Sequence, residues 1–159
     1  MTMRPPAPRA EVEAWLRAGG WYPGRDERER AEQLIAVRVA DAARQGFPME
    51  PWPAVTEFVA RYVGLRLPMP MAPDRVFLAH PAVGHEGDAE DIAELAADLG
   101  RRLFPVGYEV GEWGTVLLDD LGRFFYLHHT GPYFIGIDEH QALSSLMRGD
   151  QDDVDDFYV

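Results

Sequence analysis

A chain of 159 residues that is 47% hydrophobic and 11% aromatic suits one folded domain with a single core rather than a disordered polymer. It holds no cysteine, which excludes a disulfide framework, a thiolate metal site and a cysteine nucleophile, and no stretch approaches the roughly 18 apolar residues of a membrane helix. The net charge of −12 sits in the second half: residues 1–85 carry 11 basic and 10 acidic groups and residues 86–159 carry 4 and 17, a field that repels nucleic acid and anionic lipid and serves either solubility or the recognition of a basic partner.

The first ten residues, MTMRPPAPRA, lack the apolar centre of a signal peptide, so a cytoplasmic protein is expected and residues 1–10 read as a flexible lead-in. Val12, Trp15 and Leu16 recur at i, i+3, i+4 and predict a short first helix with Trp15 on its buried side, ended by Gly19 and Gly20. In the following GWYPGR, Pro23 and Gly24 set a turn. That turn is expected to fold both Trp21 and Tyr22 back over the junction of helices and sheet. Asp26 with Glu29 three residues on resembles a helix-capping pair, and Leu34, Ile35, Arg38, Val39 and Ala42 mark one face of a second helix running to about Arg44. After the prolines at 48, 51 and 53, the spacing of Trp52, Val55, Phe58, Val59 and Tyr62 predicts a third helix, stopped by Gly64.

From Leu65 the period changes from helical to alternating. LRLPM and RVFLAH read as strands near a sheet edge, where the missing N–H of proline is tolerated. Asp88 and Asp91 open a fourth helix whose apolar face is Ile92, Leu95, Ala96 and Leu99, with Arg101 and Arg102 expected in its last turn, where cations suit the helix dipole. LFPVGYEV then leads into TVLLDDLGRFFYLHH, a hairpin signal in which Asp119, Asp120, Leu121 and Gly122 form the turn and Gly122 takes positive φ. Both arms are apolar on both faces, so they should lie in a sheet covered on each side. YFIGI supplies a further strand, and Asp138 with Gln141 caps a closing helix that carries Ala142, Leu143, Leu146 and Met147 and stops at Gly149. The remainder, residues 150–159, reads as a mobile acidic tail. Helices, then mostly antiparallel strands interrupted by one helix, then a last helix make an α+β domain rather than a βαβ array.

Catalytic and metal-binding patterns are sparse. His128 and His129 are neighbours, which on a strand point to opposite faces, and His80 and His85 flank a loop near Glu86 without a third ligand at a defined position. His140 follows Glu139 in a helix, where adjacent side chains do not converge. The tail aspartates lack the glycine and closing glutamate of a calcium loop. No nucleophile elbow, phosphate-binding glycine loop or metalloprotease motif occurs, and Ser144 and Ser145 have no implied partner. Neither a cofactor nor catalysis is expected; a hydrolase would have to centre on His80, His85 or His128.

Four stretches taken in order, LRAGGWYPGR, GFPMEPW with FVARYVGLRL, LGRRLFPVG leading to LLDDLGRFFYLHHTG, and DEHQALSSLMRG, resemble the SUKH-3 group of bacterial immunity proteins over about Glu11 to Gly149. The resemblance weakens around PMPMAPDRVFLAHPAVGHEGD and does not reach the tail. It implies a SUKH-like α+β domain over residues 11–149, no catalysis, and a cytoplasmic protein that binds and neutralises a cognate toxin of a polymorphic toxin system. Such toxins are often nucleases or nucleic-acid deaminases and tend to be basic, which an acidic antidote would suit. A regulatory scaffold of the same fold is the alternative. The candidate partner contacts are acidic and aromatic groups placed on sheet edges and turns, namely Glu109, Glu112, Trp113, Asp119, Asp120 and Tyr133. Trp15, Trp21, Tyr22, Gly24 and Gly122 are assigned structural roles.

Overall fold

In the computed structural model, which describes residues 3–159, six strands form one antiparallel sheet in the order of the chain, β1 (Arg66–Met69), β2 (Ala72–Leu78), β3 (Leu103–Val110), β4 (Gly114–Asp119), β5 (Phe124–His128) and β6 (Gly131–Gly136). Three helices precede it, α1 (Arg9–Ala18), α2 (Arg28–Gln45) and α3 (Pro53–Tyr62); α4 (Asp88–Leu99) is inserted between β2 and β3, and α5 (Glu139–Arg148) follows β6. The fold is α+β, as the order of patterns predicts.

Alternation along the central strands explains why helices lie on both faces. Val116, Leu118, Phe124, Tyr126 and Ile135 point into a main core with α1, α2, α3 and α5. The intervening Leu117, Phe125, Leu127 and Phe134 point the other way, into a smaller core with Ile92, Leu95 and Leu99 of α4. The hairpin turn is built from Asp119, whose Oδ1 accepts the N–H groups of Leu121 and Arg123 while Gly122 takes φ +86°. Pro68 lies in edge strand β1, and its carbonyl accepts the Trp15 indole N–H at 2.8 Å.

The segments expected to be loose are packed. Ala7 is buried, its N–H donates to Ser144 Oγ at 2.8 Å, and Arg148 Nη2 donates to the Pro5 carbonyl at 2.6 Å, so residues 3–8 run along α5. The acidic tail folds across β6: Asp152 pairs with Phe134 in a two-way bridge, Val154 is buried, and the Phe157 ring stacks on Phe134 at 4.5 Å. Apolar Val154 and Phe157 hold this tail down despite its five aspartates, because Leu117, Phe125 and Phe134 would otherwise face water.

Three local expectations change. Asp26 does not cap α2, whose first residue is Arg28; the cap position is Glu27, with its N–H on the Ala60 carbonyl at 2.9 Å. Arg101 and Arg102 lie beyond Gly100, which ends α4 in a left-handed conformation, and no basic residue occupies that helix's last turn. Trp21 packs against the main core, whereas Tyr22 is 55% exposed. The turn from Tyr22 to Arg25, closed at 3.1 Å with Gly24 at φ +82°, swings the two rings to different sides. It also delivers Arg25 onto the carbonyls of Arg61 and Val63 at the end of α3. Among the described residues no helix is long and apolar enough to cross a membrane.

Candidate partner-binding face

The inserted helix α4 begins in a buried polar clamp. Arg38 of α2 is 1% exposed and donates to Asp88 Oδ2 at 2.8 Å, the Pro81 carbonyl at 2.6 Å and the Val83 carbonyl at 2.9 Å. Gln45 reaches the same aspartate and accepts the Ala89 N–H. With Ile92, Leu95 and Leu99 turned to the sheet, helical spacing puts Asp91, Glu94 and Asp98 in solvent along one side. The tail brings Asp153 and Asp155 to the same region, while Asp156 adjoins them on the concavity beside Phe134 and Gln141. Burial, followed by the carboxylates of Asp98, Asp155, Asp153 and Glu94, holds the Tyr158 hydroxyl above its ordinary range. Among the described residues none of these six carboxylates has an ion-pair partner.

Between the α4 acids and the ends of β4 to β6 lies a cleft of about 520 Å³, with Leu95, Leu127 and Pro132 as its apolar part and Trp113, His128 and His129 on its far side. Trp113 is 68% exposed and holds φ +62° in the β3–β4 connection, its N–H donating to the Glu109 carbonyl and its ring edge-on to Tyr108 at 6.3 Å. His128 and His129 do not diverge as their adjacency in a strand suggests. β5 ends at His128, and the turn at His129 brings the two ring centroids to 3.9 Å. His128 Nε2 is 3.6 Å from Glu112. Among the described residues no three His, Asp or Glu side chains gather to hold a metal ion. Burial, then the Arg30 charge, lowers the pKa of His80, whose ring accepts the Ala82 N–H.

The six residues expected to meet a partner separate into five settings. Trp113 and Glu112 belong to the cleft and its rim. Glu109 is 2% exposed, ion-paired with Arg75 at 2.7 Å and bonded by Tyr126, so it braces the sheet instead of facing a partner. Asp119 is fully buried in the hairpin turn against Arg123. Tyr133 alternates onto the main-core side, away from the cleft. Asp120 lies at the other end of the hairpin, beside a concavity of about 920 Å³ between the Phe47–Glu50 loop and α4, where Arg101 and Arg102 face Glu50 and Asp120 and the charges balance. The exposed α4 acids Asp91, Glu94 and Asp98 were not singled out in the sequence; their i, i+3, i+7 spacing in DAEDIAELAADL was the available signal.

Residues 8–149 match the model of the family described as SUKH-3 immunity protein. No curated protein and no solved structure matches the chain. With the family match running from the residue before α1 to the glycine that ends α5, and the sheet and helices arranged as the resemblance implies, the chain belongs to the SUKH-3 immunity protein family.

Proposed function

We propose that this immunity protein neutralises its toxin by one-to-one capture and not by catalysis, and that the toxin is a basic protein, a nuclease or a nucleic-acid deaminase. The observation that carries the reading is the row of unpaired carboxylates Asp91, Glu94 and Asp98 of α4 beside one exposed tryptophan, extended by Asp153 and Asp155 of the tail around Tyr158. Enzymes that grip phosphates do so with arginine and lysine, and a carboxylate surface of this kind competes for those same groups. An aromatic anchor adds contact area that is desolvated on binding. Neutralisation then follows from occlusion: while the antidote sits on the cationic surface, nucleic acid cannot. We place this event in the cytoplasm of the producing cell.

The test is calorimetry of the purified protein against the toxin domain encoded beside its gene, at two salt concentrations. Tight, one-to-one binding that weakens as salt rises supports capture through the acidic face. A folded, active toxin domain that does not bind at either salt concentration moves the function to a regulatory scaffold with another partner.

A further inference from the structure

We infer that the cleft beside Trp113 seats an arginine-bearing loop of the partner, with the guanidinium against the indole face and its charge toward the α4 carboxylates; this deepens the capture reading and rests on it. Three half-buried aromatics are covered by the chain's own arginines: Arg17 lies over Trp21 at 5.6 Å, Arg102 over Trp52 at 4.8 Å, and Arg123 over Phe157 at 5.3 Å. Trp15 is half-buried and spends its indole N–H on Pro68. Trp113 is the most exposed tryptophan and, among the described residues, has no cation over its ring; its cleft holds Asp88, which is paired with Arg38, the histidines His85, His128 and His129, and the unpaired carboxylates of Asp91, Glu94 and Asp98. An exposed indole beside unpaired carboxylates is a place where a partner's cation gains on both sides at once.

The rest of the cleft suits the same occupant. Its apolar floor of Leu95, Leu127 and Pro132 takes the methylene stem of a long side chain while the charged head reaches the carboxylates. A volume of about 520 Å³ is the size of a site for several groups. Arginine fits better than lysine. Its planar, weakly hydrated head stacks on an indole and forks onto carboxylates, whereas an ammonium holds its water.

The experiment is nitrogen-15 NMR of the intact protein titrated with acetyl-Gly-Arg-Gly-Arg-Gly-amide and with its lysine counterpart, followed by calorimetry of the toxin domain with the same variants. The arginine peptide should saturate, shift the Trp113 indole signal together with Leu95, Leu127 and His128, and bind about two- to fivefold tighter than the lysine peptide, the range of an exposed cation–π contact. Trp113→Gly should remove that preference, and the triple variant Asp91→Asn, Glu94→Gln, Asp98→Asn should weaken both peptides. Shifts scattered over every acidic surface, or equal affinity for the two peptides, would overturn the assignment. Toxin that binds the wild type and Trp113→Gly equally overturns the cleft while sparing capture. Toxin that binds neither overturns capture itself, and with it the assignment of the loop to a toxin.

Discussion

Trp113 stands in the left-handed region at φ +62°, where an L-residue with a Cβ costs about 1 kcal/mol and glycine costs none. Trp113→Gly should therefore leave the thermal midpoint unchanged or raise it slightly while lowering toxin affinity by about tenfold or more, the loss expected of an aromatic anchor. Scanning fluorimetry and calorimetry on one preparation separate the two effects, and a large drop in melting temperature would show that the indole supports the fold instead. For the other aromatic pair the expected signs differ. Trp21→Ala should cost roughly 1–2 kcal/mol because the ring is half-buried, whereas Tyr22→Ala should fall within about 0.5 kcal/mol of wild type, both read from urea unfolding. Composition and turn chemistry placed two large rings at this corner. Which ring turns inward depends on the turn's path past α3, fixed by Arg25 and the carbonyls of Arg61 and Val63, and no local pattern encodes that.

At the scale of elements, the best-read pieces are those whose determinants lie within a few residues. The β4–β5 hairpin closes on Asp119 and Gly122, and α5 starts on Asp138, whose carboxylate accepts the Gln141 N–H at 2.9 Å while the Gln141 side chain takes the N–H of Ile137. The α2–α4 clamp was illegible because its members are far apart. Arg38 looked like one more residue of a helix face and Asp88 like a dipole-compensating acid, yet they form a pair in which neither side chain is more than 3% exposed. Asp88→Ala should cost about 3–5 kcal/mol by stranding the guanidinium. Replacing both, as Arg38→Met with Asp88→Leu, would restore stability if only the ion pair mattered. Here Pro81 O, Val83 O and the His85 N–H also rely on these two side chains, so the double variant should recover less than half of the loss. A double-mutant cycle in urea measures this, and full recovery would mean that those backbone groups find water.

For the whole molecule, the excess of acid in the second half was plain in the sequence, but its concentration beside one cleft was not. That depends on the tail crossing β6 and returning to α4, where the Val159 N–H donates to the Asp98 carbonyl at 2.9 Å. Residues 150–159 read as solvated because aspartates outnumber apolar groups there, and one buried side chain, Val154, with the half-buried Phe157 was enough to reverse the outcome. Truncation after Gly149 should uncover Phe125 and Phe134 and cost roughly 2–4 kcal/mol, seen as a lower unfolding midpoint and increased dye binding by the native state. The triple neutralisation of Asp91, Glu94 and Asp98 should slow toxin association and flatten its salt dependence, with a smaller change in dissociation, in stopped-flow measurements.

The uncompensated carboxylates on α4 and the tail push against one another whenever the protein is alone. Folding thus works against a repulsion that an oppositely charged partner removes. Added salt screens both interactions, so it should raise the melting temperature of the free immunity protein while loosening its grip on the toxin. The free and bound states therefore have opposite preferences in ionic strength, and the protein gives up some of its own stability to keep its binding face charged.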